Sequence, residues 1–424
     1  MIWAMTDQAI MSGARFLTAV MIGRFGSEEE LGLYSLGFGV LVLIVGIHEA
    51  FVTTPYTVFL PRKEQERHAA YQGFALRTTL QLSAVLSSLL LFVALLARLI
   101  PTVPGLLAVV VAVACALPLV LLREFARRLQ FAHSRTGMAC ILDGLVAAVQ
   151  IGGLALLMTQ RPLSAIIAFV LTGIACAVST ALWWWLERAE ISHDLENQRQ
   201  DYLEHAKFGR WIFGENMVSV VQMYFGHWYL TLTNDSATST GIFAACVSVV
   251  MLINPFLLAV TSIMTPRVAK IYSSGSRRAV AAATWKYVAF VVAIMGIFSL
   301  AMWILGGWLA VLFFGKLGEG RSFEVGLLGL MMIAQGANYT LSVGLRILDR
   351  PQWNLATAIF GTALTIVVAF FFTSHDIAGV VASLVIGVAA ITVVRVISFI
   401  KLTFSQEIVR HGLSGAALLD GHES

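Results

Sequence analysis

Apolar runs about as long as a membrane is thick alternate with short polar gaps from one end of the chain to the other. The runs occupy residues 2–23, 32–60, 74–97, 104–122, 138–159, 163–186, 208–232, 240–264, 284–314, 323–345, 352–373 and 377–400. Each is close to or above the ~20 residues that a spanning helix needs, so twelve transmembrane helices are predicted. The gaps differ mainly in charge. Of the 28 Lys and Arg residues, all but Arg15, Arg24, Arg98, Arg161, Lys316 and Arg321 fall in or beside every second gap or in the C-terminal tail. Basic loops stay on the cytoplasmic side, which places both termini there.

Polar residues inside the runs keep to stripes. At about 100° per residue, Asp7, Gln8, Met11, Ser12, Arg15 and Thr18 share one arc of the first run, with Ile10, Gly13, Phe16 and Leu17 opposite. The second run repeats this near its cytoplasmic end with His48, Glu49, Thr53 and Tyr56. The seventh has Glu215, Asn216, Ser219, Gln222 and His227, and the tenth has Gln335, Asn338, Tyr339, Ser342 and Arg346. Asp143 and Gln150 lie nearly superposed on the fifth. A charge at the bilayer centre costs about 2.5–3.5 kcal/mol on insertion scales, so these faces are expected to line a watery cavity. The alternative for each residue is a hydrogen bond between helices, worth under about 1–2 kcal/mol; it is the expected role of Ser12, Thr18, Gln150 and Gln335. His48 and His227 are the groups that would titrate near neutral pH if transport is coupled to protons. Asn254-Pro255 is expected to interrupt the eighth helix. At the end of the fourth run, Arg123, Arg127, Arg128 and Arg135 read as a topology anchor or as donors that capture an anionic headgroup or diphosphate.

The two halves share a plan. Gly32-Leu33-Tyr34 opens the second run and Gly241-Ile242-Phe243 the eighth; Thr54-Pro55 and Thr265-Pro266 follow at similar distances. Counting back from the two glycines reaches Asp7 and Asn216, and the fourth run of each half closes on Leu-Arg with a second Arg four residues on, Arg123 with Arg127 and Arg346 with Arg350. Duplicated bundles of this kind are common in transporters. The expected fold is therefore all-α and polytopic, with two pseudo-symmetric six-helix bundles around a central cavity. Residues 1–186 form the first bundle, 187–207 a charged cytoplasmic linker with a surface helix, and 208–424 the second bundle with a short cytoplasmic tail.

Composition narrows the function. With 58% hydrophobic and 12% charged residues and a mean hydropathy of +0.83, the chain has too little polar surface for a soluble domain. Its formal charge of +4 belongs to loops facing anionic lipid, so nucleic acid is not an expected partner. Cys115, Cys140, Cys176 and Cys246 lie in apolar runs without metal-ligand or disulfide spacing, and neither metal nor cofactor is expected. Met1 leads almost directly into the first run, so a removable signal peptide is not expected. No phosphate-binding loop, zinc-protease or nucleophile-elbow pattern occurs, and short outer gaps such as Asn234-Asp235-Ser236 offer no room for an extramembrane active site. An enzyme is not expected.

Asp7-Gln8 with Ser12-Gly13 and Phe16, Leu31-Gly32-Leu33-Tyr34, and Leu122-Arg123-Glu124-Phe125-Ala126-Arg127-Arg128 together give a chain that resembles the MOP superfamily of exporters. Within it, the chain looks most like the bacterial polysaccharide or oligosaccharide flippases, and the likeness runs over all twelve spans. The resemblance implies a multi-pass protein of the bacterial cytoplasmic membrane that alternates between inward-open and outward-open states. It implies a polyprenyl-linked saccharide as cargo, a capsule, O-antigen or exopolysaccharide unit, with membrane lipid and glycan-assembly proteins as partners. Cavity cations of that family are thought to meet the carrier diphosphate; only Arg15 suits that role here, with Arg123, Arg127 and Arg128 for headgroup capture. The expected cavity lining is Asp7, Gln8, Arg15, His48, Glu49, Asp143, Glu215, Asn216, Gln222, His227, Gln335, Asn338 and Tyr339. Its acids depart from the flippase pattern. They suit a coupling Na⁺ or H⁺, sugar hydroxyls, or the cationic drug of a multidrug antiporter in the same superfamily. The other expectations weighed are an intramembrane glycan polymerase or ligase and a non-catalytic assembly scaffold.

Overall fold

Short polar caps start the helices. Ser27 accepts a hydrogen bond from the Glu30 amide at 3.2 Å and opens the second helix; Ser164 accepts one from the Ile167 amide at 3.4 Å and opens the sixth. In the computed structural model, which describes residues 2–99, 103–188, 198–234, 236–273, 277–348, 351–371 and 376–419, twelve helical rods follow one another. They are α1 (Ile2–Phe25), α2 (Glu28–Arg62), α3 (Gln65–Ala97), α4 (Leu106–Ala132), α5 (Thr136–Leu157) and α6 (Ala165–Glu187). The second half contains α7 (Gln198–Asn234), α8 (Thr238–Tyr272), α9 (Arg277–Phe314), α10 (Ser322–Ile347), α11 (Pro351–Phe371) and α12 (Ile377–Leu419). The chain is 93% helical, with no strand among the described residues. Nine of the rods among the described residues are long and apolar enough to cross a membrane. The three that fall short, α1, α7 and α10, are those with the longest polar stripes. Residues 198–207, expected in the linker, are the first turns of α7 itself.

The packing is duplicated. Within the first lobe, α4 packs on α3 and α6, α5 on α6, and α1 on α5; in the second, α10 packs on α9 and α12, α11 on α12, and α7 on α11. Adding six to each helix number of the first set gives the second. The lobes meet through α2 against α7 and α8, and α1 against α8 and α9. At the end where α2 and α8 begin, Gly32 and Gly241 face each other. A Cβ on Gly32 would strike the Ala237 carbonyl, and one on Gly241 would strike the Glu28 carbonyl. Only glycine permits this backbone contact.

The apolar core forks. One cluster runs across both lobes at this glycine end, from Ile22, Leu31 and Leu163 to Ala237, Phe243 and Leu317. Toward the other end, one cluster around Tyr56, Tyr71, Phe125 and Trp183 belongs wholly to the first lobe, and another around Met264, Leu345 and Phe399 wholly to the second. The molecule is thus a V closed at the glycine end, with a cleft between its arms.

Two rods are interrupted. In α2 a π-turn spans Glu49–Thr53 just before Pro55, and in α8 a 3₁₀ turn spans Met251–Ile253 just before Asn254-Pro255. Proline has no amide hydrogen and frees the carbonyl four residues earlier. In α2 that carbonyl is Phe51, which accepts a hydrogen bond from His205 Nδ1 of α7 at 3.0 Å. Gly209, one turn on, lets α7 lie directly against the Ala50 carbonyl.

Candidate functional site

The stripe on α1 divides along its length. Asp7, Met11 and Thr18 occupy one edge and turn into the first lobe: Asp7 and Thr18 are fully buried, and Gln150 donates to Thr18 Oγ1 at 3.2 Å. Gln8, Ser12 and Arg15 occupy the other edge and keep solvent contact. The same division appears on α10, where Asn338 and Ser342 are buried while Gln335, Tyr339 and Arg346 keep access.

Asp7 belongs to a buried charge network. Arg127, near the end of α4, donates through Nη2 to Asp7 at 2.5 Å and through Nε to Asp143 of α5 at 2.7 Å. Arg123, one turn earlier, pairs with the other Asp143 oxygen and with Glu124, and places a second Nη2 contact on Met11 Sδ at 2.8 Å. Asp7 Oδ1 is buried with no partner among the described residues. Three carboxylates face two guanidiniums.

Arg123 and Arg127, expected to reach out for a headgroup, are therefore enclosed and neutralised by acids of their own lobe. Arg128 is half exposed and pairs with Glu49 at 2.6 Å, at the π-turn of α2. His48, beside it, is buried and shares a 3.0 Å hydrogen bond with Thr79 of α3. A further acid, Glu187 at the end of α6, accepts from Gln130 at 2.8 Å, Trp183 at 2.9 Å and Arg135 at 3.1 Å.

The second lobe is arranged differently. Glu215 of α7 pairs with Arg346 of α10 at 2.5 Å, with the Arg346 side chain 55% exposed. Asn216, the counterpart of Asp7, donates across the lobe boundary to the Gly46 carbonyl at 3.3 Å. Arg395, counted above with the C-terminal tail, lies instead inside α12 and is buried. It donates to Thr357 Oγ1 at 2.9 Å, Asn338 Oδ1 at 2.7 Å, the Asn338 carbonyl at 3.2 Å and the Asn354 carbonyl at 3.1 Å. All four acceptors are neutral. His227 is buried between Tyr224 and Phe243, with Nδ1 unpartnered, and Gln222 Nε2 and Gln335 Oε1 also lack protein partners.

Arg15 stands apart. Its exposed guanidinium lies over the Phe38 ring of α2 at 5.7 Å, with no hydrogen bond or ion pair among the described residues. Every acid expected to line the cavity, Asp7, Glu49, Asp143 and Glu215, is instead matched to an arginine. The charge left over in the cleft is positive. Sequence reasoning missed Glu124 and Arg395. Glu124 was legible in its place between Arg123 and Arg127, and Arg395 in its place within the twelfth apolar run.

No family model matches the sequence, and no curated protein matches it. Solved structures do match in fold. A multidrug resistance MATE family transporter of the MOP superfamily in its inward-facing conformation superposes with a TM-score of 0.77 at 14% identity, over 95% of this chain and 96% of that one. An outward-facing structure of such a transporter gives 0.71 at 14% identity, over 95% and 94%. A MOP superfamily transporter from Pyrococcus furiosus Vc1, described as having a binding pocket of reverse polarity that suggests a different function, also gives 0.71 at 14% identity, over 95% and 94%. The chain has the fold of these MOP-superfamily transporters, two six-helix lobes around a central cavity.

Proposed function

We propose that this chain is an alternating-access exporter of an anionic, lipid-linked saccharide, working in a bacterial cytoplasmic membrane with both termini in the cytoplasm. The carrying observation is the charge left in the cleft. A binding site for a cationic drug needs a free carboxylate, and here each expected acid has an arginine, whereas Arg15 has none. An unpaired guanidinium beside a lipid-accessible cleft suits the diphosphate of a polyprenyl carrier. Fold does not decide polarity, because one neighbour in fold is itself described as having a pocket of reverse polarity. The cleft opens at the end that the basic gaps assign to the cytoplasm, where such a cargo would be loaded.

Asp7 and Asp143 supply the coupling in this reading. The network has one carboxylate more than its guanidiniums, so a coupling cation, H⁺ or Na⁺, would be held there, and its loss would repack α1 on α5. A second reading, a cation-coupled multidrug antiporter, is favoured by the likeness to solved structures named as multidrug resistance transporters. Deleting the gene separates the two. Loss of surface glycan with unchanged efflux of a cationic dye is the expected result, and restored export with wild-type chain but not with Arg15→Ala should accompany it. Loss of dye efflux with intact glycan would remove the flippase reading and establish the other.

A further inference from the structure

Buried tyrosines almost always find a partner for the hydroxyl. Five are buried among the described residues: Tyr34, Tyr56, Tyr71, Tyr224 and Tyr229. Tyr56 meets His133 Nε2 at 3.4 Å, Tyr71 meets His205 Nε2 at 2.6 Å, and Tyr229 donates to the Ala369 carbonyl at 2.8 Å. The hydroxyls of Tyr34 and Tyr224 meet no protein group among the described residues, and neither is among the fully enclosed unpartnered atoms. Each ring is packed, with 6% and 9% of the residue left exposed.

These two tyrosines flank Arg15. Tyr34 stacks on Phe38 at 5.9 Å, and Phe38 is the ring under the Arg15 guanidinium at 5.7 Å. Tyr224 rests on the next residue, Gly39, where a Cβ would come within 2.7 Å of its ring. The stretch Tyr34–Gly39 of α2 thus carries one phenol and packs against the Arg15 guanidinium of α1 and the Tyr224 ring of α7. Tyr224 belongs to the other lobe. All three are donors, and none has an acceptor.

We propose that Arg15, Tyr34 and Tyr224 form a phosphoryl-binding subsite shared between the lobes. Donors from three separate helices suit a tetrahedral oxyanion better than a planar carboxylate, and a charged acceptor makes each bond stronger than a neutral one would. Because Tyr224 moves with the second lobe, parting the lobes at this depth breaks the donor set and releases the anion. The role in export rests on the function proposed above; the chemistry of the subsite does not.

The test uses the purified full chain in detergent, titrated calorimetrically with inorganic pyrophosphate and with a C15 prenyl diphosphate. Tyr34→Phe and Tyr224→Phe remove one hydroxyl each and keep the ring, and each is expected to weaken diphosphate binding roughly tenfold, with Arg15→Gln weakening it further. An unchanged melting temperature in both Phe variants certifies that the loss is local. Tighter binding of the prenyl compound identifies a lipid-borne phosphoryl group; equal binding identifies recognition of the free anion, and either supports the subsite. Parent-like affinity in both Phe variants overturns it, as does a parent chain that binds neither probe. Export assays separate the two claims. Diphosphate binding that depends on these residues in a chain whose deletion spares glycan export would sink the flippase reading alone, while glycan export that needs the chain, with unaltered binding in the Phe variants, would sink the subsite alone.

Discussion

The two lobes repeat one backbone plan and fill it with different charge. Near the end of α4, Arg123 and Arg127 are buried among three carboxylates; near the end of α10, Arg346 faces solvent with one, Glu215. The second lobe's buried guanidinium is on another helix, Arg395 of α12, and is held by neutral oxygens. Duplication has kept what depends on backbone geometry, the helix pairings and the glycine contact. It has not kept the charge. The first lobe's network has one carboxylate more than its guanidiniums, whereas an arginine fixed by neutral oxygens is a permanent brace across α10, α11 and α12.

Cutting each network should give unequal results. Arg127→Ala leaves Asp7 and Asp143 buried without their main counter-ion, and breaking a buried pair in this way costs about 3–5 kcal/mol. Arg395→Met removes hydrogen bonds to neutral groups and leaves an apolar stem of similar length, at about 1–3 kcal/mol. Thermal unfolding in detergent should therefore rank Arg127→Ala well below Arg395→Met. The reverse order would show that the second lobe, not the first, depends on its buried charge.

Where the lobes are alike, substitutions should act alike. Gly32→Ala and Gly241→Ala each drive a methyl group into a carbonyl of the opposite lobe, Ala237 and Glu28 respectively. Both should prise the closed end apart and abolish export while the lobes stay folded. A cysteine introduced at the buried Ala237 in a chain lacking the native cysteines should become reactive to an impermeant maleimide in either variant. A strong effect from one glycine and none from the other would break the pseudo-symmetry at its clearest point.

Period and charge made the scaffold legible. Twelve rods, two lobes and the matched glycines all follow from apolar length and from short repeats, because membrane helices must satisfy their own backbone groups and so leave few alternatives. The faces of α1 and α10 were legible only as arcs. Arc width alone cannot say that Asp7 turns inward and Arg15 outward, since both lie within it; the neighbours on α4 and α5 decide. For the same reason the acids looked like cavity lining, although their partners Arg123, Arg127 and Arg128 were in plain view at a helix end. Tyr34 was legible only as part of the motif that opens the second run and Tyr224 not at all, because a tyrosine in an apolar run reads as packing until its hydroxyl is seen without a partner.

The smallest expected effect concerns a feature that binds the lobes unequally. Before its apolar part, α7 lies on the first lobe. Lys63, just past α2, reaches Asp201 and Glu204 at 2.9 Å each, and Arg67 reaches Asp201 at 3.5 Å. Burial alone would lower the Lys63 pKa, but its bonds to Glu204 and Asp201 raise it; the same bond from Lys63 lowers that of Glu204. Burial lowers His205, with the Phe51 carbonyl and the charges of Asp201, Lys63 and Glu204 acting more weakly. The signs then set a window. A raised lysine stabilises docking below its ordinary value of 10.5 and loses that as pH rises through its folded value, and a lowered carboxylate stabilises docking above its ordinary 4.5 and loses that as pH falls. A lowered histidine favours its neutral form, so docking also weakens as pH drops below the ordinary 6.5. Hydrogen exchange over residues 198–210, corrected for intrinsic rates, should be a few-fold faster at pH 5 than at pH 8, with the comparable first turns of α10 unaffected. His205→Gln should remove that change, because the lysine and carboxylate contributions are both in place from pH 5 to pH 8. Equal protection at both pH values would mean that protonating His205 does not loosen α7, which the ion pairs and the aromatic contacts of Phe59, Phe74 and Phe208 then hold at either pH.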